Sequence, residues 1–225
     1  MRFLDANEYQ ALIQGAALLR EDGYGPKVYQ TPDGLIVKLF RIKRWLSTSL
    51  VYPYSLRFLH NSRRLQRMGI VCVEVEDVFY CHAIRRHGLV YRRLDGTPLD
   101  ELLVSADGQA RQLFCEYAAF IAKLHAQRIY FRSLHPGNIL LLPEGGFGLI
   151  DVADMRFPWL PLSPARRRRN FRHMFRSVEF KQALEVLPGA MFVTAYLEAT
   201  DLGAVEKAML GRHLLSDIEA LDIRA

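Results

Sequence analysis

The stretch that most constrains this chain is NILLLPEGGFGLIDVAD, residues 138–154. Two apolar runs flank Pro143-Glu144-Gly145-Gly146. Apolar runs of this length around such a turn read as a β-hairpin, because proline presets φ and glycine accepts φ > 0. A hairpin brings its two open ends together. Asn138 stands just before one strand and Asp151 just after the other, so an amide oxygen and a carboxylate are expected to converge at one edge. Hard oxygen ligands of this kind suit Mg²⁺, which keeps part of its water shell and bridges nucleotide phosphates. Lys38, a lone charge in the apolar stretch LIVKLF, could neutralise those phosphates from a separate strand. Each residue also has a plainer reading: a solvent-facing strand lysine, a turn asparagine, a capping aspartate. Their joint occurrence, in this order and spacing, argues for a nucleotide-type site.

The rest of the chain supplies a frame for that hairpin. Residues 5–22 read as a helix capped by Asp5, with Glu8 completing a capping box. Residues 23–40 read as two strands around Pro32-Asp33-Gly34. Helical spacing over 53–68 is stopped by Gly69. Short strands follow near 71–80 and 88–94, then a short helix at about 98–104. RQLFCEYAAFIAKLHAQR (111–128) is an amphipathic helix with Leu113, Phe114, Tyr117, Phe120, Ile121 and Leu124 on one side. Residues from about 166 to 221 read as helical. The plan is α+β: a strand-rich part over 1–92 with an N-terminal helix, an antiparallel sheet and one longer helix, then a helical part over 93–225 with the hairpin embedded. A chain of 225 residues, 50% hydrophobic, can bury one large core or two small ones.

Charge narrows the partners. The net charge of +6 is mild, but it is unevenly distributed. Gly34–Val73 holds eight basic residues and no acid; Met155–Ser177 holds seven arginines and no acid. Such blocks favour phosphates, acidic sugars, lipid headgroups or nucleic acid. Three cysteines with no Cys-x-x-Cys pair argue against a disulfide framework or a zinc site. The N-terminus lacks an apolar signal core, and no apolar run reaches the ~20 residues that span a bilayer. The expected location is cytoplasmic, with a membrane surface as a place to dock.

The motifs resemble those of the protein-kinase-like superfamily. FRSLHPGN (131–138) lies on the pattern H-R-D-L-x-x-x-N, DVA (151–153) on D-F-G, and IVK (36–38) on V-A-I-K. Within that superfamily, GPKVYQTPDGLIVKLFR, YPYSLRFLHNSRRLQRMGI and YFRSLHPGNILL are similar to the small bacterial lipopolysaccharide core kinases, including toluene-tolerance and InaA-like members. The resemblance covers roughly residues 20–176. It implies a bilobal fold with a small strand-rich N-lobe and a reduced helical C-lobe. It implies ATP and Mg²⁺ as cofactors and a sugar hydroxyl of the lipopolysaccharide core as acceptor. Residue by residue, it implies that Lys38 holds the α/β-phosphates and that Asn138 and Asp151 hold Mg²⁺. Gly23 and Gly25 would approach the phosphates, and Tyr91–Leu94, Arg92 among them, would lie beside the adenine. A Walker loop is absent from the sequence, which argues against a P-loop enzyme.

Three positions depart from the kinase pattern. Ser133 stands where kinases place the aspartate that accepts the acceptor's proton. Losing a general base typically costs ~10²–10⁴-fold in rate, and positioning carries much of phosphoryl transfer, so a slow enzyme and a pseudokinase both remain open. His135 and Asp154 are the nearby substitutes for the base. Asn61 falls where kinases place the helix glutamate that pairs the lysine, and Ala153 replaces the glycine of D-F-G. The run ARRRRNFRHMFR places Arg166–Arg176 after the hairpin. It is read as a surface for an anionic acceptor or the inner membrane's cytoplasmic face, ahead of nucleic acid, because Phe171 and Phe175 recur at core-facing helical spacing.

Overall fold

The structure, a computed structural model, describes residues 1–41 and 52–221; Lys43 and Arg44 of the first basic block lie outside them. The chain divides into two compact units, Met1–Leu94 with Ile150–Ala153, and Asp95–Leu149 with Asp154–Ala225. The sequence reading puts its boundary between 92 and 93 and assigns 150–153 to the second part.

The first unit contains β1 (Arg2–Leu4), α1 (Ala6–Leu12), β2 (Ala17–Asp22), β3 (Gly25–Gln30), β4 (Leu35–Arg41), α2 (Tyr54–Arg67), β5 (Val75–Cys81) and β6 (Arg86–Arg92). Its sheet runs β1-β5-β6-β4-β3-β2. β1 is parallel to β5 and the other neighbours are antiparallel. The Asp5 capping box forms, with Asp5 Oδ1 accepting from Glu8 N at 2.9 Å and Glu8 Oε2 accepting from Asp5 N at 2.8 Å. The expected helix over 5–22, however, ends at Leu12. Gly15 takes φ +70° and turns the chain, and residues 17–22 leave as β2 to pair with β3. Leu18 and Leu19 stand exposed on that strand. Ladder hydrogen bonds to β3 outweigh a modest local helix preference. α2 matches its expected span, and Gly69 ends it at φ +70°, a conformation open to glycine at little cost.

Alternation along β4 decides where its side chains go. Val37 and Leu39 join Leu4, Tyr9, Phe79, Cys81 and Val90 in one buried cluster. Ile36, Lys38 and Phe40 point to the opposite face, where α2 supplies Phe58. Register agrees: Val37 opposes Val90 and Ile36 opposes Tyr91, and Tyr91 stacks on Phe58 with ring centroids 5.8 Å apart. Lys38 is therefore aimed away from the apolar cluster by strand geometry alone.

The second unit contains β7 (Thr97–Pro98), α3 (Leu99–Leu102), α4 (Gly108–Ala126), β8 (Tyr130–Phe131), β9 (Ile139–Leu141), β10 (Phe147–Leu149), β11 (Met155–Arg156), α5 (Pro164–Phe175), α6 (Val178–Val186), α7 (Gly189–Ala199) and α8 (Ala204–Glu219). β9 and β10 form the expected hairpin, with Ile139 opposite Leu149 and Leu141 opposite Phe147. β7 adds a third strand. β8 and β11 make a separate two-stranded ribbon; strands this short leave no periodic signal in the sequence. The helices close on aromatic rings. Phe114 and Phe180 meet Phe192 at 5.0 and 5.3 Å between centroids, and Phe171 meets Tyr196 at 4.7 Å. Edge-to-face and tilted ring pairs of this kind add about 0.5–1.5 kcal/mol each beyond area burial.

Candidate active site

In the first unit, Lys38 and Asp151 meet. Lys38 Nζ lies 2.6 Å from Asp151 Oδ1. The lysine is 7% exposed as a residue, whereas the aspartate side chain is 43% exposed. Burial holds the Lys38 ammonium below its ordinary lysine value, and the Asp151 carboxylate opposes that shift. The rings of Phe40 and Phe58 lie 5.7 and 5.6 Å from Nζ, close enough for cation–π attraction. Asp151 itself adopts φ +54°, a left-handed conformation that costs an aspartate of order 1–3 kcal/mol and that surrounding contacts must maintain. Part of that constraint is Asn61. Its Nδ2 donates to the carbonyls of Val152 at 2.8 Å and Ala153 at 3.3 Å.

Asn61 thus does something other than the sequence reading expects. Among the described residues it makes no hydrogen bond to Lys38. An amide presents donors, and two carbonyls after Asp151 take them; a glutamate at this position would repel both. Tyr91 is driven above the ordinary tyrosine range by burial and then by the Asp151 charge. Arg92, two positions from the unit's edge, pairs instead with Glu76 at 2.8 Å on the surface. Gly23 sits in the turn between β2 and β3, and Gly25 opens β3 at φ +98°. Arg86 pins that turn through the carbonyls of Tyr24 and Pro26.

In the second unit, Asn138 closes a 3₁₀ turn over Pro136–Asn138, just ahead of β9. Its Nδ2 donates to Ser133 O at 2.9 Å and to His135 Nε2 at 2.9 Å. Both amide hydrogens are used, and the Oδ1 end has no hydrogen-bond partner among the described residues. That is the donor set a hard cation requires of an amide. The contact suits the His135 tautomer that carries its hydrogen on Nδ1. Nε2 accepts from the amide, and Nδ1 lies 3.5 Å from Glu179 Oε1 without hydrogen-bond geometry. His135 holds the Asn138 amide in place through this contact. The Ser133 carbonyl is engaged by Asn138 and by His135 N at 3.0 Å; its hydroxyl makes no hydrogen bond among the described residues. Asp154 offers its carbonyl to Arg132 N at 3.4 Å, and its carboxylate is left without an ion-pair partner among the described residues. Among those residues no three His, Cys, Asp or Glu side chains gather, so no all-protein cage of the zinc or calcium kind is built.

The arginine run does not act as one surface. Arg167 is 1% exposed. Its Nε donates to Leu162 O at 2.8 Å, Nη1 to Thr200 Oγ1 at 2.5 Å, and Nη2 pairs with Asp201 at 2.7 Å. Arg168 makes a two-pronged pair with Asp217 of α8 at 2.7 and 2.9 Å. These two hold the helices together. The expectation of a continuous Arg166–Arg176 contact surface applies only to the remaining cations.

No protein-family model matches the chain, and no curated protein matches it. Among solved structures it is similar to WbdD, in a co-crystal with the kinase inhibitor LY294002 and in a second crystal structure. Identity is 16% in each case, with TM-scores of 0.48 and 0.47. The match covers 84% of this chain and 43% of WbdD, so the chain spans under half the length of those structures. No helix among the described residues is long and apolar enough to cross a membrane.

Proposed function

We propose that this protein is an ATP- and Mg²⁺-dependent phosphotransferase of the protein-kinase-like type, acting on a sugar hydroxyl of the lipopolysaccharide core. One observation carries the reading: a buried strand lysine, Lys38, held at 2.6 Å from a strained, half-exposed aspartate, Asp151. A buried ammonium needs an anion, and a carboxylate in a left-handed turn is held at a conformational cost. Both groups can exchange partners without losing charge balance. On this reading Lys38 would hold nucleotide phosphates, and Asp151 and Asn138 are the residues that would hold Mg²⁺. Mg·ATP supplies the transferable phosphoryl group; the chain's residues bind, neutralise and orient.

A second reading, a nucleotide-binding or scaffolding pseudokinase of envelope biogenesis, draws on Ser133. No serine accepts a proton at neutral pH, and His135 is committed to Asn138. Asp154 is then the carboxylate left to act as base. Two measurements separate the readings: thermal shift with Mg·ATP, and transfer of labelled γ-phosphate to purified core oligosaccharide. Shift plus transfer, both lost in Lys38→Met and Asp151→Asn, supports the enzyme. Shift without transfer supports the pseudokinase. An unchanged response to Mg·ATP in both variants removes the enzyme and the nucleotide-binding form of the pseudokinase.

A further inference from the structure

We propose that the second unit carries a binding cavity for a phosphate-bearing ligand, built by Arg132, Arg156, Arg166 and Arg169. The cavity measures about 360 Å³, within the range of small-molecule sites. Helix geometry explains how one arginine run yields both core and cavity. Residues at i, i+3 and i+7 share a helix face. Arg166, Arg169 and His173 are so spaced on α5, and all three line the cavity. Arg167 turns inward instead, and Arg168 turns to Asp217. The facing wall is the β8–β11 ribbon, in which Tyr130 opposes Arg156. Arg132 follows at the ribbon's end, tied to Asp154 O through its backbone N–H.

The charge pattern points to an anion. No carboxylate lines the cavity, and none of the four guanidinium groups has an ion-pair partner among the described residues. Arg167 and Arg168, on the same helix, are both paired. Arg166 lies in the first turn of α5, where the helix dipole disfavours a cation. Four like charges around one hollow repel each other, and an anion there relieves that repulsion. The field is felt at His173, whose pKa is held below the ordinary value by burial and then by Arg132, Arg169, Arg176 and Arg172. Guanidinium forks match phosphate oxygens two at a time. Tyr130, Phe157 and Pro158 complete the lining with an apolar wall, suited to the body of a small phosphate monoester. A nucleic-acid backbone would ask for a continuous stripe, which the withdrawal of Arg167 and Arg168 interrupts.

This site needs neither Lys38 nor Asp151, so its test is separate from that of phosphotransfer. Binding of glucose 6-phosphate and of glucose is measured by calorimetry. Sedimentation is measured with phosphatidylcholine vesicles, with and without phosphatidic acid. The full chain is used, together with Arg156→Gln, Arg169→Gln and, as control, Arg212→Gln on the outer face of α8. Glucose 6-phosphate should bind and glucose should not. Each cavity variant should weaken binding about tenfold or more, and Arg212→Gln should leave it unchanged. Binding only to phosphatidic acid vesicles, with the same variant pattern, assigns the phosphate to a lipid headgroup. The proposal is overturned if neither probe binds, if Arg212→Gln weakens binding as much as the cavity variants, or if a single-stranded oligonucleotide binds and glucose 6-phosphate does not displace it.

Discussion

Acidification should weaken this fold through one buried histidine. His125 of α4 is 1% exposed. Its Nε2 donates to Asn170 Oδ1 at 3.2 Å, and its Nδ1 accepts from Tyr196 Oη at 2.9 Å. Both ring nitrogens are satisfied by the neutral form. A second proton would sit in an apolar cluster, against a tyrosine hydroxyl already committed as donor. Burial lowers the pKa from 6.5 to about 3, with the Arg167 charge lowering it further and the Asn170 contact opposing. Between those values the unfolded chain binds the proton and the native one does not. Stability is therefore complete above pH 6.5 and declines as pH falls through the window. At pH 5.0 the loss is one and a half pH units at about 1.4 kcal/mol per unit, or about 2 kcal/mol relative to pH 7.5. Urea unfolding followed by circular dichroism at 222 nm, at pH 7.5 and 5.0, measures it. His125→Gln keeps a donor and an acceptor but does not titrate. Whatever its absolute stability, that variant should lose about 2 kcal/mol less than the wild type over the same interval. Equal losses would refute the assignment of the proton to His125.

Other variants test other parts of the structure. Gly88 opposes Phe79 across β5 and β6, and a Cβ there would meet the Phe79 ring at 2.2 Å. Gly88→Ala should cost about 1–3 kcal/mol in thermal unfolding, and Phe79→Leu in the same chain should restore part of it. Asn61→Ala leaves the Val152 and Ala153 carbonyls without their donor. It should cost about 1–3 kcal/mol and, on the proposed function, reduce the Mg·ATP thermal shift while leaving Lys38 in place. Arg167→Met leaves the buried Leu162 carbonyl and Thr200 hydroxyl without their donor, while the half-exposed Asp201 can turn to water, and should destabilise by about 1–3 kcal/mol. Arg168→Met, at a partly exposed pair, should cost under about 1 kcal/mol; equal costs would refute the division of the run into core and surface.

The parts of the fold legible in the sequence are those set by local chemistry. The hairpin over 139–149 follows from its turn residues, α2 from its spacing and its glycine stop, and the Asp5 cap from one carboxylate and one glutamate. The misread segment is instructive. Residues 5–22 have good helical spacing, and the signal for the break was Gly15; that 17–22 would become a strand depends on β3 being available to pair with it. The two-residue strands β8 and β11 carry no period to detect. Among site residues, Lys38 stood out as a charge in an apolar strand, and Asp151 as a carboxylate at a strand end. That these two touch depends on a long-range return of residues 150–153 to the first unit.

By itself, the sequence determined the residue types, the hairpin and the concentration of cations, because turn chemistry and charge act over a few residues. Tertiary structure alone decided what each polar group is used for. It placed Asn61 as a clasp on Val152 and Ala153, and sorted the four consecutive cations Arg166–Arg169 into core, helix pair and cavity wall. The physical reason is that a polar side chain's role is set by who desolvates it and who bonds it. For Asn61, Arg167 and Arg168 the deciding partners lie tens of residues away along the chain.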